Sequence, residues 1–143
     1  ILGGDAIKQK NLQKLRALVI ELGMENKIEL MGTVSDPETY YRKSKIFAFT
    51  SSSEGFPNVI GEVLSHGLPV ISYNCVAGPS DLIDDGKNGF LIEVFDDENY
   101  KQQLNEMMKN ITLWNYLQGN TVDSVKKYSK EQIADEYYKF VCC

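Results

Sequence analysis

Histidine and cysteine are scarce in this chain, which has one His and three Cys in 143 residues. A single His gives a His-cluster metal site or a Ser-His-Asp triad little to work with, so His66 is expected to be a structural or exposed residue rather than a catalytic one. One cysteine is isolated and two are adjacent at the end, which is no disulfide framework and favours a reducing compartment. Cys75 is expected to pack as a small hydrophobic residue.

Basic surface charge and long apolar runs are also lacking. The net charge of −5 argues against a nucleic-acid partner, which needs a basic stripe. No apolar run approaches the roughly 20 residues of a membrane span. Apolar and charged contents of 43% and 24% are those of an ordinary globular domain. Because no internal repeat or linker divides the chain, we expect a single domain over residues 1–143.

Residues 51–62 form the stretch around which the chain is organised. They follow an apolar run, residues 46–49, that predicts a buried strand, and they lead into a helix. Pro57 suits the first helical turn and Gly67 suits the position just past the last turn. The free amides at the start of such a helix bind anions, so the stretch predicts a phosphate site.

Glu54 and Glu62 lie on either side of this predicted helix start, eight positions apart. Glu54 lies on the loop and Glu62 more than a turn into the helix, so they are expected to flank one cavity from two elements. Carboxylates accept strong hydrogen bonds from sugar hydroxyls. The competing interpretation is that both are solvated surface residues, as most glutamates are.

Predicted strands alternate with predicted helices along the chain. Strands are expected over residues 1–5, 27–31, 45–49, 69–73 and 90–94. Helices are expected over residues 11–22, 38–43, 58–66, 78–83, 97–108, 113–127 and 130–141. This alternation predicts a Rossmann-like α/β fold, a parallel sheet flanked by helices. Ligands bind at the carboxyl ends of such strands, where the loops after residues 5, 31, 49 and 73 should converge.

Residues 54–62 and 67–72 closely resemble the signature of glycosyltransferase family four, the "glycosyl transferases group 1". Gly3-Gly4-Asp5, Gly32, Gly78-Pro79 and residues 85–91 also stand where that family has similar residues, so the resemblance covers nearly the whole chain. It implies the C-terminal, nucleotide-sugar-binding half of a GT-B glycosyltransferase.

The resemblance also implies roles for individual residues. Glu54 would face the donor sugar near its reacting carbon and act in catalysis. Glu62 would accept hydrogen bonds from the ribose hydroxyls, and Thr33 and Val34 would border the base. Backbone amides would hold the sugar and the phosphates, namely those of Gly55, Phe56, Asn58 and Val59. Residues 73–79 look like a variant found in enzymes that use uridine diphosphate sugars.

By the same resemblance, transfer would retain the anomeric configuration and need no metal or other cofactor. No Asp-x-Asp triplet occurs, which weighs against the metal-dependent transferase fold. The leaving diphosphate would then need helix amides and basic side chains. In the family, an Arg and a Lys ahead of the Gly-Gly turn supply that charge. We therefore expect a fragment of a longer enzyme, lacking the acceptor domain and the first strand-helix unit, and inactive alone.

The expected partners are a nucleotide sugar and, through the missing domain, a saccharide or lipid-linked saccharide acceptor. A cytoplasmic location is expected, with peripheral attachment to the inner membrane face as a second option. Two alternatives stay open: a sugar-nucleotide epimerase of the same fold, and a non-catalytic nucleotide-sugar-binding module.

The aromatic C-terminal end is expected to pack onto the sheet. In the fragment, Tyr137, Tyr138 and Phe140 could instead be exposed and drive dimerisation.

Overall fold

The computed structural model describes residues 10–142, which belong to two compact units, Ile1–Thr39 and Tyr40–Cys143. The first unit contains helix α1 (Lys10–Glu21) and the start of helix α2 (Glu38–Lys43). As the sequence predicts, α1 ends at a glycine. Gly23 donates to the Ile20 carbonyl at 3.0 Å, and the next amide donates to Val19 at 2.9 Å, which together close the helix.

The predicted strand over residues 27–31 is not formed. Lys27 and Ile28 instead donate their amides back to the Met24 carbonyl, at 2.9 and 3.0 Å, in a turn. A strand exists only when a neighbour accepts and donates its backbone hydrogen bonds. The neighbour that the sequence predicts, residues 1–5, lies outside the described residues.

Strands and helices alternate through the second unit. After α2 come β1 (Phe47–Phe49), α3 (Asn58–Ser65), β2 (Val70–Tyr73), α4 (Pro79–Leu82), β3 (Gly89–Ile92), α5 (Asp97–Lys109), α6 (Ile111–Ser124), a 3₁₀ turn (Lys126–Tyr128) and α7 (Lys130–Cys142). The strands form a parallel sheet in the order β1-β2-β3, with Ile71 opposite Ala48 on one side and Phe90 on the other. The predicted Rossmann-like α/β architecture is therefore confirmed.

Burial follows the order of the strands. Every residue of β2, the middle strand, is buried, whereas β1, at the edge of the described sheet, leaves Ala48 exposed. The side of the sheet that faces α5 and α6 is covered by one apolar cluster, made of Ile71, Tyr73, Ile92, Tyr100, Met107 and Leu117. Such packing is what holds the carboxyl ends of the strands, and the loops that leave them, in fixed positions.

Helix α3 is short but firmly bounded. Ile60, Val63 and Leu64 are fully buried, and they form its inner face. At its end Gly67 takes a φ of 78°, where a side chain would be strained. The amides of Gly67 and Leu68 donate to Leu64 and Val63, at 3.0 and 3.1 Å. The predicted helix end is confirmed, and the helix begins one residue after Pro57.

Candidate functional site

The loop between β1 and α3, residues 50–57, leaves the sheet at the carboxyl end of an edge strand. Its composition explains its path, because three serines and a glycine are residues that favour turns. Ser51 closes part of the loop by donating its hydroxyl to the Ser53 carbonyl at 3.1 Å. The predicted strand-loop-helix arrangement is therefore present in the structure.

A second loop, between β2 and α4, packs against the first at Gly78. A Cβ atom on Gly78 would overlap the ring of Pro57 and lie 2.8 Å from the Gly55 carbonyl oxygen. Gly78 also has a φ of 107°, a conformation that L side chains rarely adopt. The predicted convergence of these two loops at the carboxyl edge of the sheet is thus observed, and glycine is what permits it.

The first turn of α3 carries no side-chain cap. The Asn58 amide donates to the Phe56 carbonyl at 3.0 Å, and the Ile60 amide donates to the Pro57 carbonyl at 2.9 Å. Asn58 is exposed and Val59 half-buried. An anion bound here would therefore face the open start of the helix. To bind it, the Asn58 amide would give up its hydrogen bond to the Phe56 carbonyl.

The two predicted carboxylates differ in their surroundings. Glu54, on the loop, is half-buried, whereas Glu62, on α3, is exposed. Gly55 and Phe56 are exposed on the same loop, and Phe56 packs edge-on against Tyr128, with ring centroids 6.0 Å apart. Tyr128 is fixed in turn, because its hydroxyl donates to the Asp81 carbonyl at 2.9 Å. The loop is thereby tied to the C-terminal part of the unit.

Glu62 has partners that the sequence did not predict. The Tyr41 hydroxyl donates to Glu62 Oε2 at 3.3 Å, across 21 positions of sequence. His66 Nδ1 lies 2.8 Å from the Glu62 carbonyl oxygen, so that nitrogen carries the donated proton. This gives His66 the structural role that the sequence favoured. The sequence held only a general signal for the Tyr41–Glu62 contact, because the hydroxyl of a buried tyrosine usually needs a hydrogen-bond partner.

Thr33 and Val34, predicted to border the base, belong to the first unit. Thr33 is exposed and Val34 half-buried. Their contribution to a base site remains a prediction.

A cavity of about 420 Å³ lies elsewhere in the second unit and includes no predicted site residue. Its lining combines the amino end and exposed face of β1 with α5 and α6, and consists of Lys45, Ile46, Ala48, Leu104, Met107, Met108, Lys109, Ile111 and Trp114. This lining is mostly apolar, and Lys45 and Lys109 are its two charged residues. It offers no array of hydroxyl or amide groups for a sugar.

The C-terminal aromatic residues divide into two groups. Tyr100 is buried and Trp114 half-buried, in line with the predicted core role. On α7, Tyr137, Tyr138 and Phe140 are 70%, 68% and 88% exposed, as the alternative expectation held.

Among the described residues, no helix combines the length and apolar character needed to cross a membrane. Within residues 10–142, no group of three or more His, Cys, Asp or Glu is placed to hold a metal.

Comparison with known proteins decides the family. Residues 1–132 match the family described as "Glycosyl transferases group 1". The chain belongs to the group 1 glycosyltransferases. This glycosyltransferase chain is 31% identical over 141 residues to a Campylobacter jejuni enzyme named N-acetylgalactosamine-N,N'-diacetylbacillosaminyl-diphospho-undecaprenol 4-alpha-N-acetylgalactosaminyltransferase, covering 99% of this chain and 38% of that protein.

Other relatives of this glycosyltransferase chain agree. It is 27% identical to the lipopolysaccharide core biosynthesis glycosyltransferase LpsE of Rhizobium meliloti, over 96% of this chain and 40% of that one. The structure of Anabaena HepE in complex with UDP superposes with a TM-score of 0.84 at 21% identity, over 96% of this chain and 40% of the other. The chain therefore shares the GT-B fold of its neighbours, and it spans 35% and 38% of the length of the first two curated relatives.

Proposed function

We propose that this chain is the donor-binding part of a retaining, metal-independent glycosyltransferase of the hexosyltransferase type that uses a UDP-sugar. Glu62 accepts hydrogen bonds from the ribose hydroxyls. Glu54 lies beside the donor sugar and acts in the transfer step. The amides of Gly55, Phe56, Asn58 and Val59 hold the sugar and the diphosphate, and Thr33 and Val34 border the base.

One observation carries this proposal: the loop after β1 and the loop after β2 touch at Gly78 and Pro57, directly before the uncapped start of α3. A helix start carries partial positive charge, and its amides point outward along the helix axis, so they can bind a diphosphate without a metal. Glu62 lies about one turn further along the same helix, and we assign the ribose of the bound nucleoside to its carboxylate.

The relatives' names support a UDP-sugar and a carbohydrate acceptor. HepE has been solved with UDP and also with UDP-glucose. The Campylobacter enzyme is named for a sugar acceptor carried on undecaprenol diphosphate, a lipid. We therefore propose a saccharide or lipid-linked saccharide acceptor, and a cytoplasmic site of action with peripheral association at the inner membrane face. Because the chain spans 38% of that enzyme, we propose that transfer requires more than these 143 residues.

Isothermal titration calorimetry of the chain with UDP-glucose, UDP-N-acetylglucosamine, UDP-N-acetylgalactosamine and a GDP-sugar tests the donor assignment. We expect binding of at least one UDP-sugar. Glu62→Ala should weaken it by about 1–3 kcal/mol, because a charged hydrogen-bond acceptor is lost. Glu93→Ala, a change to an exposed glutamate just after β3, is the matched control and should leave affinity unchanged.

Equal affinity in wild type and Glu62→Ala would contradict the ribose role of Glu62. Binding of the GDP-sugar alone would contradict the uridine assignment. Binding that depends on added Mg²⁺ or Mn²⁺ would contradict metal independence.

We also propose that the exposed aromatic face of α7 supports a weak dimer. Tyr137, Tyr138 and Phe140 lie within four consecutive positions and are all exposed, and exposed apolar groups of this kind often mark interfaces. Light scattering across a concentration series should show growing mass, and Phe140→Ser should suppress it. A strict monomer at every concentration contradicts the dimer.

A further inference from the structure

We infer that Tyr41 is a positioning residue for the nucleotide, because it holds the Glu62 carboxylate in the orientation that accepts the ribose hydroxyls. This inference rests on the proposed role of Glu62. Tyr41 lies on α2 within the second unit and is only 6% exposed. Its hydroxyl donates to Glu62 Oε2 at 3.3 Å.

The Tyr41 ring is fixed by two aromatic neighbours. Phe47, on β1, meets it edge-on with ring centroids 6.4 Å apart and an interplanar angle of 81°. His66, just after α3, meets it at 5.6 Å and 65°. A tyrosine ring has two side-chain torsions, so two edge-on contacts together with burial leave the hydroxyl little freedom.

The backbone of Glu62 is fixed separately. Its carbonyl oxygen accepts from the Ser65 hydroxyl at 2.6 Å and from His66 Nδ1 at 2.8 Å. The His66 amide adds a longer bond to it, at 3.3 Å. The backbone of Glu62 is thus fixed in the last turn of α3. The hydrogen bond from Tyr41 then acts on the direction of the Glu62 side chain.

The side chain needs such a partner because it is exposed. An exposed glutamate samples many rotamers, and ordering it on binding costs conformational entropy. A bond from Tyr41 to Oε2 restricts those rotamers before the nucleotide arrives. A carboxylate has about four acceptor positions, so this bond leaves capacity for sugar hydroxyls. The 3.3 Å separation is long for a hydroxyl donor, and such contacts commonly shorten when a ligand completes the site.

Tyr41→Phe removes only the hydroxyl and keeps the ring between Phe47 and His66. Binding is measured by calorimetry for two probes, UDP and 2′,3′-dideoxyuridine diphosphate, which lacks both ribose hydroxyls. We expect Tyr41→Phe to weaken UDP binding about three- to tenfold and to leave the dideoxy nucleotide unchanged. The neighbouring Tyr40→Phe on the same helix is the control, and thermal unfolding of each variant verifies its folding.

A double-mutant cycle separates positioning from a structural role. In a Glu62→Ala background, Tyr41→Phe should cause no further loss of UDP affinity, because the carboxylate it orients is absent. Equal weakening of both nucleotides, or further weakening in the Glu62→Ala background, overturns the positioning role.

The same experiment distinguishes failure of this inference from failure of the proposed function. If wild type discriminates UDP from the dideoxy nucleotide and Glu62→Ala abolishes that discrimination, while Tyr41→Phe does not reduce it, only the role of Tyr41 is overturned. If wild type binds both nucleotides equally, the ribose role of Glu62 is wrong and the inference is overturned with it.

Discussion

At the scale of single residues, one glycine decides whether the two loops of the candidate site can meet. Gly78 combines a φ of 107° with contact against Pro57 and the Gly55 carbonyl. A side chain there would be strained by the backbone conformation and would also push the β1–α3 loop away. Because the start of α3 follows Pro57 directly, displacement of that loop would also disturb the proposed phosphate site.

Gly78→Ala should therefore destabilise the fold by about 2–4 kcal/mol, the combined cost of strained backbone and overpacking. Urea unfolding measures the change. Gly119→Ala on α6 is the matched control, since a Cβ there meets nothing within 4 Å. It should stabilise by about 0.5–1 kcal/mol, because alanine is the better helix former. A Gly78→Ala protein as stable as wild type would contradict the packing account.

At the scale of elements, helix α5 fixes the strand ends from which the site loops leave. The Tyr100 hydroxyl, on α5, reaches the carbonyl of Ile71 at 3.1 Å and that of Phe49, the last residue of β1, at 3.4 Å. The Tyr73 hydroxyl, at the end of β2, donates to Asp97 at the start of the same helix. Two tyrosines thus join α5 to the carboxyl ends of β1 and β2.

These contacts make the fold sensitive to alkali. The hydrogen bond to Asp97, reinforced by burial, raises the pKa of Tyr73 above its ordinary value of 10.0. Burial, with a smaller effect from Tyr73, raises the pKa of Tyr100 far above 10.0. A tyrosine whose pKa is raised on folding holds its proton more tightly when folded. Its stabilising contribution is fully present below about pH 10 and is lost as the pH rises further.

The free energy of unfolding should therefore fall as the pH rises above about 10, and Tyr100→Phe should flatten that decline. Circular dichroism during urea unfolding at several alkaline pH values measures it. Tyr137→Phe, a change to a tyrosine that is 70% exposed, is the control and should leave the profile of wild type. An identical alkaline profile for Tyr100→Phe and wild type would contradict the role given to that hydroxyl.

The elements also show what the sequence could predict. Periodicity and glycine helix ends predicted α1 and α3, because those signals lie within a few neighbouring residues. The strand over residues 27–31 was predicted from composition, and the structure has a turn there instead, in which Lys27 and Ile28 donate their amides to the Met24 carbonyl. The Tyr41–Glu62 contact spans 21 positions and joins two helices, so no local pattern could reveal it. The same holds for the contact between Gly78 and Pro57, which depends on how two crossovers pack.

At the scale of the whole molecule, the chain is acidic while its proposed ligand is an anion. A net charge of −5 repels a nucleoside diphosphate at long range, so affinity must come from groups close to it. The uncapped start of α3 is such a group, and the carboxylates of Glu54 and Glu62 are suited to hydroxyls rather than to phosphate. The candidate site thus offers separate groups for phosphate and for hydroxyls, whereas the cavity beside Trp114 is mostly apolar.

In the proposed donor site, a UDP-sugar binds where the β1–α3 loop meets the start of α3. Titration of the isotope-labelled chain with UDP, followed by amide nuclear magnetic resonance, locates that binding. We expect shifts of the Gly55, Phe56, Asn58, Val59 and Glu62 amide signals, with the indole signal of Trp114, the single tryptophan, unmoved. Shifts centred on Trp114, with the signals of residues 55–62 unchanged, would contradict it.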